Sequence, residues 1–227
     1  MNIHELSTQT RKVIEKLEGS EIRSCIDKSL PPPAPFRGRG DIRLIILGQD
    51  PTVQDPEQRK KIKTVLLLDQ RGRLRTYVQN VCRALDIDLD ENVYATNLLK
   101  NFFTKPPDTM RKEDPQFFGK AAAYWIPLLS EEIKEFEDVP VLPLGEPVLN
   151  SLVKSQERVL IRNFWGYEGP GQYGRNFGYI KPTENLLSRV VFPFPHLPGL
   201  SHKFYRQQMN GYLAFIKKQF FHPAAKL

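Results

Sequence analysis

The chain reads as an α/β protein, a single domain over residues 1–227 with a central four-stranded parallel sheet flanked by helices on both faces. Three observations predict this. Four short apolar runs, at residues 43–47, 93–98, 139–144 and 190–194, alternate with segments of helical periodicity, the pattern of a parallel sheet with crossover helices. The first run is apolar without alternation, as expected of a strand buried on both sides. Each run ends in glycine or polar residues: Gln49-Asp50, Asn97, Gly145-Glu146 and His196. Parallel strands would bring these ends to one edge, where open α/β sheets bind their ligands.

The elements follow in order. Residues 5–28, within an N-terminal helical segment 1–30, place Leu6, Val13, Ile14, Leu17 and Ile26 on a helical period, with a break near Gly19. Pro31-Pro32-Pro33-Ala34-Pro35 cannot be helical and should run extended into the first strand. After that strand come seven basic residues between Arg59 and Arg75, interrupted by the apolar stretch 65–68. A helix over 74–85 leads to the second strand, and a loop through Pro106-Pro107 leads to a long helix over 114–136. A short helix over 147–153 follows the third strand. Residues 155–188 hold five glycines and five aromatics up to Phe177, with Tyr179 just after. A loop of this length is usually functional or disordered, and the aromatics argue against disorder. A last helix spans 202–220.

The 227 residues are 40% hydrophobic and 26% charged, enough for one sizeable core. A formal charge of +7 is compatible with a polyanionic partner without demanding one. The two cysteines, Cys25 and Cys82, form no CxxC or Cys/His cluster, so reduced thiols are expected and no metal site is predicted. No apolar stretch approaches the roughly 18–20 residues of a membrane span. The first residues lack the basic and apolar regions of a secretory leader. A cytoplasmic protein without a membrane partner is therefore expected.

The strand ends offer a carboxylate in Asp50, a carboxamide in Asn97 and an imidazole in His196. Asn97 presents an acceptor and two donors on one flat group, suited to the edge of a heterocycle, but strand-end Asn also caps turns. His196 could donate to an oxyanion, act as an acid or base, or simply be solvated.

These residues resemble a known family. Gly48-Gln49-Asp50-Pro51 is similar to the water-activating motif of family 1 uracil-DNA glycosylases. Thr96-Asn97-Leu98 resembles that family's uracil-reading segment, and residues 141–145 its third strand. His196-Leu197-Pro198-Gly199-Leu200-Ser201 resembles its minor-groove loop. The likeness covers about residues 31–220 in the right order. It implies hydrolysis of the N-glycosidic bond of uracil in DNA, starting base-excision repair, with no cofactor or metal. Asp50 would orient water and stabilise the cationic sugar, and His196 would hydrogen-bond the departing uracil anion. Gln49 and Asn97 would bind the base, Leu200 would wedge into the duplex, and Ser201 and Gly145 would meet phosphates. The implied partner is uracil-containing DNA, single- or double-stranded, bound by a monomer near the nucleoid.

Four departures from the family pattern stand out. Thr52 stands where the family has a tyrosine that excludes thymine. Residues 64–68 have no stacking phenylalanine, leaving Leu67 at the base-facing position, and Trp165 or Tyr173 are candidates to replace it. Glu146 follows Gly145 in place of a serine. Leu197 and Gly199 replace loop prolines. These departures leave two alternatives: a glycosylase for another modified or deaminated base, or a non-catalytic module that holds nucleic acid through the basic stretch 59–75.

Overall fold

The computed structural model describes residues 1–197 and 202–221. Its central sheet is mixed. Strands β2 (Phe36–Arg37), β4 (Val93–Asn97), β3 (Leu44–Gly48) and β6 (Val141–Pro143) lie in the order β2-β4-β3-β6. Strand β3 pairs in parallel with β4 and with β6, whereas β2 is antiparallel to β4. The register sets Gly48 opposite Asn97 and Leu47 opposite Pro143. All five residues of β3 and of β4 are buried, which explains why both read as unbroken runs.

The expectation of four parallel strands therefore needs correction. The run 190–194 does lie parallel beside β6, but only through isolated bridges at Val141–Val191 and Leu144–Phe194. Pro193 and Pro195 have no N–H to extend a ladder. The backbone amides that are present do bond: Phe192 N–H to the Val141 carbonyl at 2.9 Å, and Gly145 N–H to the Phe194 carbonyl at 2.8 Å.

Helix α1 (Ile3–Glu18) is capped by Asn2, whose side chain accepts from Glu5 N–H, and it buries Leu6, Thr10, Val13 and Leu17. It ends at Gly19 and does not resume. The Ser20 hydroxyl donates to the Leu17 carbonyl and accepts from Ile22 N–H. The chain then turns into β1 (Ile26–Asp27), which pairs antiparallel with β5 (Phe102–Phe103). The helix expected through residue 28 is thus about ten residues too long.

After α2 (Pro56–Arg59), helix α3 (Arg73–Ala84) matches expectation, and a short turn α4 (Leu89–Asn92) precedes β4. The expected helix 114–136 is α6 (Phe117–Glu132), shorter at both ends, and the expected loop through Pro106-Pro107 holds a further helix, α5 (Pro107–Glu113). Pro115 forces Asp114 out of the helical region, to φ −130° and ψ 101°. Helix α7 (Glu146–Leu152) starts directly at Gly145. Helix α8 (Lys203–Ile216) follows the segment that contains Leu200 and Ser201, two candidate residues outside the described residues. Helices α1 and α6 pack together, as do α3 and α8, and helices flank the sheet.

Residues 155–188 are mostly not loop. Strands β7 (Trp165–Gly169) and β8 (Gln172–Phe177) form an antiparallel hairpin with Tyr167 opposite Tyr173, turning at Gly169-Pro170-Gly171. The hairpin packs on α8. Trp165 has no exposed surface, stacks on Tyr212 at 4.4 Å, and donates from its indole to the Pro193 carbonyl at 2.7 Å.

Below the sheet lies a buried ionic group. Lys100 pairs with Glu132 at 2.5 Å and donates to the Thr96 hydroxyl, while the Tyr94 hydroxyl donates to Glu132 at 2.7 Å. Among the described residues no helix is long and apolar enough to cross a membrane.

Candidate active site

A cleft of about 700 Å³ opens at the carboxyl ends of β3, β4 and β6. Gln49, Asp50, Thr52, Leu67, Asn97, Gly145 and His196 all line it. The structure thus brings together seven of the nine candidate residues; Leu200 and Ser201 are the two outside the described residues.

Asp50 leaves β3 on a turn that is tied down on several sides. Leu98 N–H donates to the Gly48 carbonyl and Leu99 N–H to the Gln49 carbonyl, both at 2.9 Å. Thr52 N–H donates to Asp50 Oδ2 at 2.8 Å, and the Gln49 amide donates to Oδ1 at 3.3 Å. Burial pushes the Asp50 carboxyl up to about 7, against these hydrogen bonds, with the Asp108 carboxylate adding a smaller upward push.

Thr52 lines the cleft but is only 8% exposed, and its hydroxyl accepts from Phe103 N–H at 2.8 Å. The residue that departs from the tyrosine pattern therefore joins the Asp50 turn to β5. Arg59 reinforces the same joint. It is buried, donates to the carbonyls of Val53, Phe103 and Thr104, and pairs with Asp27 at 3.4 Å.

Asn97 is 1% exposed, and its amide oxygen has no hydrogen-bond partner among the described residues. Such a buried acceptor calls for an explanation, and a donor on a bound ligand is one. Gly48 makes this placement possible: a Cβ there would collide with the Asn97 amide oxygen and with Leu66. Leu66 and Leu67 form the facing wall, and both hold left-handed backbone, at φ 57° and 51°. Non-glycine residues rarely adopt that conformation.

His196 sits at the cleft mouth, where its side chain is open to solvent on one side. Protein packed on its other side holds its pKa below the ordinary histidine value, opposed by the Asp108 carboxylate. Gly145, at φ +101°, lies against the His196 side chain. The Tyr77 hydroxyl donates to the Pro195 carbonyl at 3.0 Å, and the Trp165 indole donates to the Pro193 carbonyl at 2.7 Å, so the backbone leading to His196 is fastened from helix α3 and from strand β7.

Sequence reasoning missed Asp108 and Arg111, which face the cleft from α5, and Tyr205 and His202, which face it from the start of α8. The one signal for Asp108 is Pro106-Pro107, which fixes a helix start right after the second strand's loop. Two expected candidates fail as base-stacking residues. Trp165 is sealed in the core, and Tyr173, 40% exposed, packs on Phe204 and does not line this cleft. The basic stretch 59–75 is also less available than it looked. Arg59 is buried, and Arg75 is committed to Asp90 at 2.6 Å and to the Leu68 carbonyl.

No protein-family model matches the chain, and no curated protein matches it. Among the described residues no group of three or more His, Cys, Asp or Glu side chains is arranged to hold a metal ion.

Proposed function

We propose that the chain is a DNA glycosylase that hydrolyses the N-glycosidic bond of uracil. The observation that carries the proposal is the convergence of Asp50 and Asn97, from the ends of β3 and β4, and of His196, from the bridged run beside β6, on one cleft. The reading also rests on the resemblance of the motifs around these residues to family 1 uracil-DNA glycosylases.

The chemistry follows from the environment of each group. A target base in DNA must leave the helix before it can enter the cleft. Asn97, with a buried acceptor awaiting a donor, would take the N3–H of uracil. As the glycosidic bond breaks, the electron pair moves to the base and positive charge develops on the deoxyribose. Asp50, ionised above pH 7, would stabilise that cation and orient the attacking water. His196, kept neutral by its lowered pKa, would donate a hydrogen bond to the uracil oxygen as it gains negative charge. Leu200 and Ser201 would hold the opened duplex.

The test is release of free uracil, with abasic-site formation, from U·G, U·A and single-stranded oligonucleotides. The wild type releases uracil, while Asp50→Asn and His196→Ala lose at least about a hundredfold, the scale of one lost transition-state donor. Folded wild-type protein that releases no uracil from any of these substrates overturns the proposal.

One observation favours a broader substrate range. Thr52 is small and its hydroxyl is turned to Phe103, so nothing at this position fills the space beside C5 of a bound pyrimidine as a tyrosine would. A 5-substituted uracil is the second reading of the same site.

A further inference from the structure

The ionic group below the sheet takes no part in the chemistry proposed for the cleft. Lys100 and Glu132 are both buried, and neither lines the cleft. The Lys100 ammonium has three donors and three oxygens to meet: Glu132 at 2.5 Å, the Thr96 hydroxyl at 2.7 Å and the Asn97 main-chain carbonyl at 3.2 Å. Glu132 ends α6 and is held in turn by the Tyr94 hydroxyl at 2.7 Å, and the Tyr94 ring packs on Phe136 at 4.8 Å. Burial, with the Glu132 carboxylate beside it, pushes the Tyr94 phenol up, so the hydroxyl keeps the proton it donates. A buried ion pair is a poor source of stability, because lost hydration offsets the attraction. Its placement here suits orientation better.

Resting on the glycosylase reading, we propose that Lys100 is a positioning residue for base recognition: anchored by Glu132, it fixes the peptide group after Asn97, and with it both the base reader and the Asp50 turn. Three features point to that task. The Asn97–Leu98 peptide is gripped on both sides. Its carbonyl accepts from Lys100, and its N–H, that of Leu98, donates to the Gly48 carbonyl at 2.9 Å. A charge on the carbonyl polarises the peptide and strengthens the bond on the far side. Gly48 directly precedes Gln49-Asp50, so one polar chain runs from Glu132 through Lys100 to the strand end that carries the carboxylate. The grip is also on the main chain of Asn97, which leaves its side-chain amide to the cleft. Finally, packing alone does not fix Asn97. Behind it lies a cavity of about 210 Å³, lined by α1 and the proline-rich connector as well as by Asn97 and Lys100. Without a tie, the base reader has room to withdraw.

The test compares wild type, the paired variant Lys100→Met with Glu132→Gln, and Tyr94→Phe. The paired variant removes both charges together, which a fold withstands better than one unpaired buried charge, and it leaves Tyr94 an acceptor. Tyr94→Phe loosens the same group without touching the Asn97 peptide, so it reports general loosening alone. In the paired variant the inhibition constant of free uracil and the KM of uracil substrates rise about tenfold, more than kcat falls. Tyr94→Phe lowers Tm and leaves both constants unchanged. In NMR spectra of the wild type the Lys100 ammonium exchanges slowly and is coupled across the hydrogen bond to the Asn97 carbonyl carbon. The Asn97 side-chain amide signal moves in the paired variant and stays in Tyr94→Phe. Absence of that coupling, unchanged uracil affinity in the folded paired variant, or an equal loss in Tyr94→Phe overturns the positioning role. The coupling is read in the wild type, so it decides the matter even where the paired variant does not fold. A wild type that releases no uracil overturns the glycosylase reading separately, because the NMR signals still report what Lys100 holds.

Discussion

The Tyr77 hydroxyl donates to the Pro195 carbonyl at 3.0 Å, which ties helix α3 to the backbone one residue before His196. Tyr77 touches no candidate reacting group, so it is a positioning residue. Tyr77→Phe leaves that carbonyl without its protein donor, at a cost of about 1 kcal/mol in stability. If the tie positions His196, kcat on uracil substrates falls by more than KM changes. An equal kcat in a folded variant shows that the loop is held without it.

The ionisation of Asp50 sets the pH dependence. The proposed hydrolysis requires Asp50 charged and His196 neutral, and raising the pH favours both. The rate therefore rises along one acidic limb with its midpoint near 7, the value to which burial pushes Asp50. His196→Ala lowers the plateau without moving that midpoint. A midpoint near 4 would mean that the carboxyl is not buried during turnover.

The same group costs stability. Its folded pKa of about 7 lies above the ordinary 3.8, so the cost is absent below pH 3.8, grows as pH rises, and is complete above 7. Its upper limit is about 4 kcal/mol. Asp50→Asn is therefore inactive yet more stable than wild type at pH 8, with the difference vanishing near pH 4. Denaturant titrations at the two pH values check the sign.

Thr52 couples the Asp50 turn to β5. Thr52→Val keeps the shape but leaves Phe103 N–H unpaired and buried, costing about 1–3 kcal/mol, whereas Thr52→Ser keeps the acceptor. In substrate panels the wild type accepts 5-bromouracil within about tenfold of uracil, a difference of about 1.4 kcal/mol. Strong rejection of the 5-bromo base would show that another residue fills the space.

Gly48→Ala places a methyl group against the Asn97 amide oxygen and Leu66. Overpacking of this kind costs about 1–3 kcal/mol. Because the displaced group is the proposed base reader, the variant loses uracil affinity more than stability. Product inhibition by free uracil measures this directly.

Much of the sheet was legible because its strands are buried on both faces, and a run such as Leu44-Ile45-Ile46-Leu47 has no competing explanation at that length. The site was legible because parallel strands share an edge, so Asp50, Asn97 and His196 could be placed together without coordinates. The hairpin was not legible: Gly166, Gly169 and Gly171, all with positive φ, break the alternation that marks a strand. The inward turn of Arg59 was hidden for another reason. Its partners Asp27 and Phe103 lie 32 and 44 residues away, and nothing local distinguishes a buried arginine from its exposed basic neighbours. The late start of α6 was written at Pro115, which keeps Asp114 out of the helical region, but the apolar period of α6 outweighed it.

The left-handed backbone at Leu66 and Leu67 bears on how this protein can change over generations. These leucines form a wall of the cleft, where new base preferences would arise. Left-handed positions accept glycine, asparagine and aspartate most readily and resist β-branched side chains. Substitutions that keep the fold at this wall are thus drawn from small, flexible or polar residues, and drift there favours a wider or wetter pocket over a tighter one.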